Sequence, residues 1–99
     1  MFTVLFSRDV ENDLKTISVF YRNKILDEIK KQLTQNPTSL TKNKKVLVNL
    51  IPPWEADSKV WEMRVGEYRV FYDVDESIQT VFIRAIRKKP PGITTEEIL

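Results

Sequence analysis

From Val60 to Arg87 the chain reads as three runs of strand-forming residues parted by two short breaks, Gly66-Glu67 and Asp75-Glu76-Ser77. Runs rich in Val, Ile, Phe, Tyr and Trp with such turn-forming breaks dictate an antiparallel meander over Val60–Val65, Tyr68–Val74 and Thr80–Arg87. Period-two alternation then splits each run between two faces. Trp61, Met63 and Val65 oppose Glu62 and Arg64, and Tyr68, Val70, Tyr72 and Val74 oppose Arg69, Phe71 and Asp73. In the last run Val81, Ile83, Ala85 and Arg87 oppose Phe82, Arg84, Ile86 and Lys88. One face is therefore apolar and needs a cover.

The first third of the chain supplies it. Phe2–Phe6 is a short β-rich run, and Ser7 stands as an N-cap with Asp9 and Glu11 where a helix dipole favours acids. Val10, Leu14, Ile17 and Tyr21 fall on one helical stripe. A second helix runs from about Val19 to Gln35 on a stripe of the Arg22 stem, Ile25 or Leu26, Ile29 and Leu33, with Asp27 and Lys31 paired on the wet side. Asn36-Pro37 stops it. The two helices form an antiparallel hairpin whose only apolar partner is the sheet. Between them and the meander, Thr38–Lys45 is a polar stretch, Val46–Ile51 a second strand and Pro52–Ser58 a loop. After Lys88 the chain leaves the sheet, and Thr94 or Thr95 before Glu96-Glu97 begins a final helical turn. The result is one α+β domain over residues 1–99: an N-terminal strand, a helical hairpin and a β-meander packed on it, with the other sheet face open.

Composition excludes several chemistries. The 99 residues include no cysteine and no histidine. Disulfides, thiolate nucleophiles, imidazole bases and Cys- or His-ligated metals are therefore excluded. No carboxylate cluster is spaced for a divalent metal and no glycine-rich phosphate loop exists, so neither cofactor nor metal is expected. The N-terminus lacks the pattern of a secretory signal, no run approaches the length of a membrane span, and the lack of cysteine fits a reducing cytoplasm. Net charge is only +2, yet residues 59–89 hold 7 Lys or Arg against 5 Asp or Glu.

That excess lies inside strands. Arg64, Arg69, Arg84 and Arg87 stand among apolar residues, where an arginine must face water, a carboxylate or a ligand. Two readings stand side by side. In one, Glu62, Arg64, Arg69 and Asp73 form cross-strand ion pairs on a wet face. In the other, the face presents guanidinium groups to a bound anion such as a phosphate backbone, and the Lys42, Lys44 and Lys45 cluster adds to it only if it lies alongside.

The run Trp61-Glu62-Met63-Arg64-Val65-Gly66-Glu67-Tyr68-Arg69-Val70-Phe71-Tyr72-Asp73-Val74, followed by Ala85-Ile86-Arg87-Lys88-Lys89, resembles the RelE/ParE toxin superfamily of bacterial type II toxin–antitoxin systems. The similarity extends over the helical hairpin, Asn36-Pro37 and Lys44-Lys45. It implies a RelE-like fold and a cytoplasmic toxin in hetero-oligomeric complex with a cognate antitoxin. In the RelE-like branch the activity is ribosome-dependent mRNA cleavage, with the RNA 2′-hydroxyl as nucleophile and no metal. The ParE-like branch inhibits DNA gyrase and lacks nuclease residues. Carried over, Arg64, Arg69 and Arg87 or Lys88 are the catalytic positions, and Lys42, Lys44, Lys45 and Arg84 the RNA-binding ones. This chain departs from the RelE pattern at Glu62, an acid at the first basic position of the strand and a candidate base, and at Thr94, near the place of a tail tyrosine.

Overall fold

The structure, a computed structural model, describes residues 1–48, 50–54 and 59–99. Strands β1 (Thr3–Phe6), β2 (Lys44–Leu47), β3 (Val60–Val65), β4 (Tyr68–Asp75) and β5 (Thr80–Lys88) form one sheet in the order β1-β5-β4-β3-β2. Helices α1 (Arg8–Lys15), α2 (Val19–Glu28) and α3 (Thr95–Ile98) complete it. The α+β class and the meander stand as the alternation requires. Val65 pairs with Tyr68 around Gly66, whose φ of 59° is a backbone setting that glycine takes without strain. The second turn, 76–79, is longer than expected; Asp75 Oδ1 accepts from the Ser77 amide (3.0 Å) and hydroxyl (2.6 Å). That hydroxyl bond, foremost, holds the Asp75 carboxyl below its ordinary pKa. The second strand starts earlier than Val46 and ends at Leu47; of the expected Val46–Ile51 strand and Pro52–Ser58 loop, residue 49 and residues 55–58 lie outside the described residues.

Ser7 caps α1 by accepting from the Val10 amide (3.3 Å). Helix α1 ends by Thr16 and a new cap stands at Ser18, so Tyr21 does not continue the stripe of Val10 and Ile17; it is largely exposed and leans on Tyr68. Arg22 spans this break, with Nε donating to Leu14 O (2.9 Å) and Nη2 to Ile17 O (3.0 Å), a cation placed at the C-terminal end of α1. Helix α2 continues through Ile29–Leu33 as a wider π-helical turn. Of the two alternatives for the stripe, Ile25 is the buried one, in line with Ile29 and Leu33. These side chains close the core against Trp61, Met63, Val65, Val70, Tyr72, Val81, Ile83 and Ile86.

Three features were not visible in the periodicity. Strand β1 pairs with β5 in parallel, from Thr3↔Thr80 to Phe6↔Ile83. Strand β5 carries a bulge: Ala85 pairs with Phe71 and Ile83 with Tyr72, leaving Arg84 as the extra residue. Beyond it the parity reverses. Ile86 joins the core, while Ala85 and Arg87 share the far face with Phe71 and Arg69, correcting the strict alternation that grouped Arg87 with Val81 and Ile83. The far face is also not open. Phe71 is 0% exposed, Ala85 2%, Asp73 4%, Glu62 5% and Arg69 6%. Thr95 Oγ1 donates to Glu62 Oε2 (2.8 Å), so the chain after β5 turns back over this face with Ile93, Ile98 and Leu99 half-buried.

Tyr72 ties core and loop together: its ring stacks on Trp61 (centroids 6.2 Å apart) and its hydroxyl donates to Pro37 O (2.6 Å). Burial pushes the phenol above its ordinary pKa of 10.0. Above that pH an unfolded tyrosine gives up its proton while the folded one keeps it, so the native state binds more protons and stability falls as pH rises. Tyr72→Phe is expected to cost about 1 kcal/mol at neutral pH and to lose this alkaline fall, measured by urea unfolding across pH 7–11.

Candidate functional site

The register of β3, β4 and β5 sets Arg64 opposite Arg69 and Arg69 opposite Arg87. Three arginine positions thus form a row across the sheet, on the face opposite the helix-packed core. Like charges directly opposite on antiparallel strands repel. The ion-pair reading holds for its two acids but not for its two arginines: Glu62 meets Lys45 and Asp73 meets Arg84 across strands, whereas Arg64 and Arg69 stand opposite each other with no acid between them. The row beside the arginines is Lys45, Glu62, Phe71 and Ala85. Glu62 lies 3.6 Å from Lys45 Nζ and accepts from Thr95, so both of its oxygens are engaged.

Each member of the row is held differently. Arg69 is buried; its Nη1 donates to Gly66 O (2.9 Å) and Tyr68 O (3.0 Å) at the β3–β4 turn. Burial, then the Arg64 charge, lower its pKa, with Glu62 opposing. It remains a cation at neutral pH. Arg87 Nη1 donates to Asp13 Oδ2 on α1 and to Ile86 O (3.3 Å). Both guanidiniums are fastened at one nitrogen, and among the described residues no acceptor meets the Nε or Nη2 of either. An Nε–Nη2 edge is the fork that grips a phosphate or carboxylate through two parallel bonds. Arg64, exposed, makes no ion pair among the described residues.

The other expected residues divide. Lys88 falls on the opposite parity, across from Tyr68, in a loose exposed pair with Glu67 (3.8 Å). Arg84, at the bulge, gives Asp73 two bonds (2.9 and 3.3 Å) and lies over the Phe82 ring, 5.0 Å from its centroid; it is part of the sheet's own packing. Lys44 is buried with Nζ donating to Asn36 O (2.6 Å), and burial lowers its pKa. It clasps the helix-ending Asn36-Pro37 segment. Lys45 lies on the arginine face and Lys42 is exposed in the loop before β2. Asp13 was not singled out by sequence. Only the parallel docking of β1, which carries α1 past the end of β1 to the free half of β5, brings it to Arg87. Among the described residues no group of three or more His, Cys, Asp or Glu could hold a metal, and no helix is long and apolar enough to cross a membrane.

Comparison with known proteins bears on the family and the fold. The profile of the ParE toxin of type II toxin–antitoxin systems, parDE, matches residues 4–89. Among solved structures, the archaeal RelE–RelB complex from Pyrococcus horikoshii OT3 superposes with a TM-score of 0.70 at 22% identity, covering 94% of this chain and 98% of that one. The toxin–antitoxin complex RelBE2 from Mycobacterium tuberculosis gives 0.68 at 20% identity, over 89% and 98%. The isolated RelE toxin of E. coli gives 0.68 at 14%, over 93% and 88%. These likenesses carry the fold. No curated protein matches the chain. The profile spans most of the chain, which belongs to this family: it is a toxin of a type II toxin–antitoxin system, of the RelE/ParE superfamily.

Proposed function

We propose that this toxin arrests translation by cutting mRNA on the ribosome, with Arg64, Arg69 and Arg87 as the cradle for the scissile phosphate. The observation that carries this reading is the in-register row, in which two guanidiniums keep an unused Nε–Nη2 edge. The 2′-hydroxyl gives its proton to solvent water and attacks phosphorus, the bond to the 5′-oxygen breaks, that oxygen takes a proton from solvent, and a 2′,3′-cyclic phosphate and a 5′-hydroxyl result. Negative charge gathers on the equatorial oxygens of the pentavalent state, where fixed cations stabilise it most. Arg69, central and rigid, grips that phosphate; Arg64 and Arg87 flank it. Lys88 lies off the row and Lys44 is committed to Asn36, so neither acts on RNA in this reading. Glu62 serves as base only if Lys45 and Thr95 release it. In the cytoplasm a cognate antitoxin neutralises the toxin by laying acidic side chains on the row; the archaeal RelE is likewise found in complex with RelB.

The decisive assay maps mRNA 5′ ends on expression and repeats the cleavage with purified ribosomes. Growth arrest without cleavage excludes the reading. A second reading, inhibition of DNA gyrase, is favoured by the family profile and by the double engagement of Glu62, which leaves the row without a free base. Loss of supercoiling activity at micromolar toxin supports it. The lysines offer a separate check. Lys45→Met is expected to lower the slope of log K against log salt for RNA binding by about one, whereas Lys44→Met leaves the slope unchanged. Lys44→Met also removes a gain of stability just below the ordinary lysine pKa of 10.5, where the folded state binds fewer protons than the unfolded one.

A further inference from the structure

Strand β1 covers β5 only as far as Ile83, and Ser7 N donates to Ile83 O (3.2 Å) as the chain leaves the sheet. Beyond that point the outer edge of β5 has no strand partner among the described residues. Asp13, on the second turn of α1, takes over: its Oδ2 accepts from the Ile86 amide (3.2 Å) and from Arg87 Nη1. One carboxylate oxygen thus caps the open edge and fastens the guanidinium at the end of the arginine row. Because it engages Nη1, the Nε–Nη2 edge of Arg87 is left over, as the Gly66 and Tyr68 carbonyls leave that of Arg69. An arginine at the end of a like-charged row, half-exposed and with many rotamers, would otherwise have no fixed setting.

We propose that Asp13 is a positioning residue of the cradle: its carboxylate fixes Arg87 in the row so that the Nε–Nη2 edge meets the scissile phosphate. The proposal rests on the nuclease reading above. Its sign separates it from bulk electrostatics, because removing an acid beside three arginines strengthens the attraction for any polyanion. Positioning predicts the reverse for catalysis alone.

The experiment compares wild type, Asp13→Asn, Asp13→Glu, Arg87→Ala and the Asp13→Asn/Arg87→Ala pair. It measures single-turnover cleavage on programmed ribosomes, and binding of a 2′-O-methyl RNA hexamer that cannot be cut. Asp13→Asn, which retains an oxygen for the Ile86 amide, is expected to slow cleavage on the order of 10- to 100-fold while hexamer binding holds or tightens. Asp13→Glu is expected to recover part of the rate, and Asp13→Asn to cost nothing further in the Arg87→Ala background. Asp13→Asn cutting at the wild-type rate while Arg87→Ala is impaired overturns the role of Asp13 alone. An equal loss in both backgrounds, with a lowered melting temperature, reduces Asp13 to a strand cap and also overturns it. A wild-type protein that cuts nothing removes the nuclease reading and the proposal with it.

Discussion

Arg69→Ala is expected to lower single-turnover mRNA cleavage by on the order of 10²–10³-fold and to abolish growth arrest, with the fold intact. Arg69 has Arg64 on one side and Arg87 on the other, and its Nη1 is already held by two carbonyls of the β3–β4 turn. Little side-chain entropy remains to be lost when it grips a phosphate, so its contribution is concentrated in the transition state. Arg69→Lys keeps the charge but not the planar fork, and is expected to recover only a small part of the rate. Two terms oppose each other in stability. The Gly66 and Tyr68 carbonyls lose a charged donor, about 1–3 kcal/mol, while the repulsion of two neighbouring arginines is relieved. A thermal melt recorded beside the kinetics separates catalysis from folding: a variant that melts near wild type yet cuts normally removes Arg69 from the cradle.

Local rules settle most elements but not their ends, since α1 stops at Lys15 and the second turn runs over 76–79; the departures that shape the site are long-range. The Ser7 cap, the Asn36-Pro37 stop, the Gly66 turn and the identity of the three central strands follow from residues within a few positions of one another. Arg69 opposite Arg64 follows too, since a tight turn fixes register. Arg87 does not follow. Its place in the row depends on the extra residue at Arg84, and nothing in the period-two pattern marks a bulge there except that Ile86 would otherwise point away from the core. Asp13 depends on β1 joining β5 across most of the chain's length, a pairing that no local signal encodes. Lys44 and Lys45 are adjacent in sequence, and the pleat sends one to clasp Asn36 and the other to the arginine face. A cluster of lysines in sequence is therefore not a cluster in space.

The burial of the far face leads to the second large effect. Phe71 lies between Glu62 and Ala85 in the sheet and is 0% exposed, although the main helices pack on the other side. Thr95 bonded to Glu62 brings the C-terminal segment beside it. The sheet is thus covered on both sides at its centre, and Phe71→Ala is expected to cost about 3–5 kcal/mol, as for an aromatic deleted from a core. For a chain of this size that lowers the melting temperature by more than about 10 °C. Leu5, paired with Phe82 toward the sheet margin, is 49% exposed, and Leu5→Ala is expected to stay below about 1 kcal/mol. The contrast between these two residues of one sheet is the measurement, by urea unfolding of both variants. A small cost at Phe71 would mean that the far face is open in solution. Removing residues 93–99 should make the Phe71→Ala penalty shrink, because two groups that cover each other do not contribute independently. If the penalty is unchanged, the C-terminal segment is not what buries Phe71. The same segment engages Glu62, in the row beside that of Arg69, and a truncated toxin is expected to lose cleavage as well as stability.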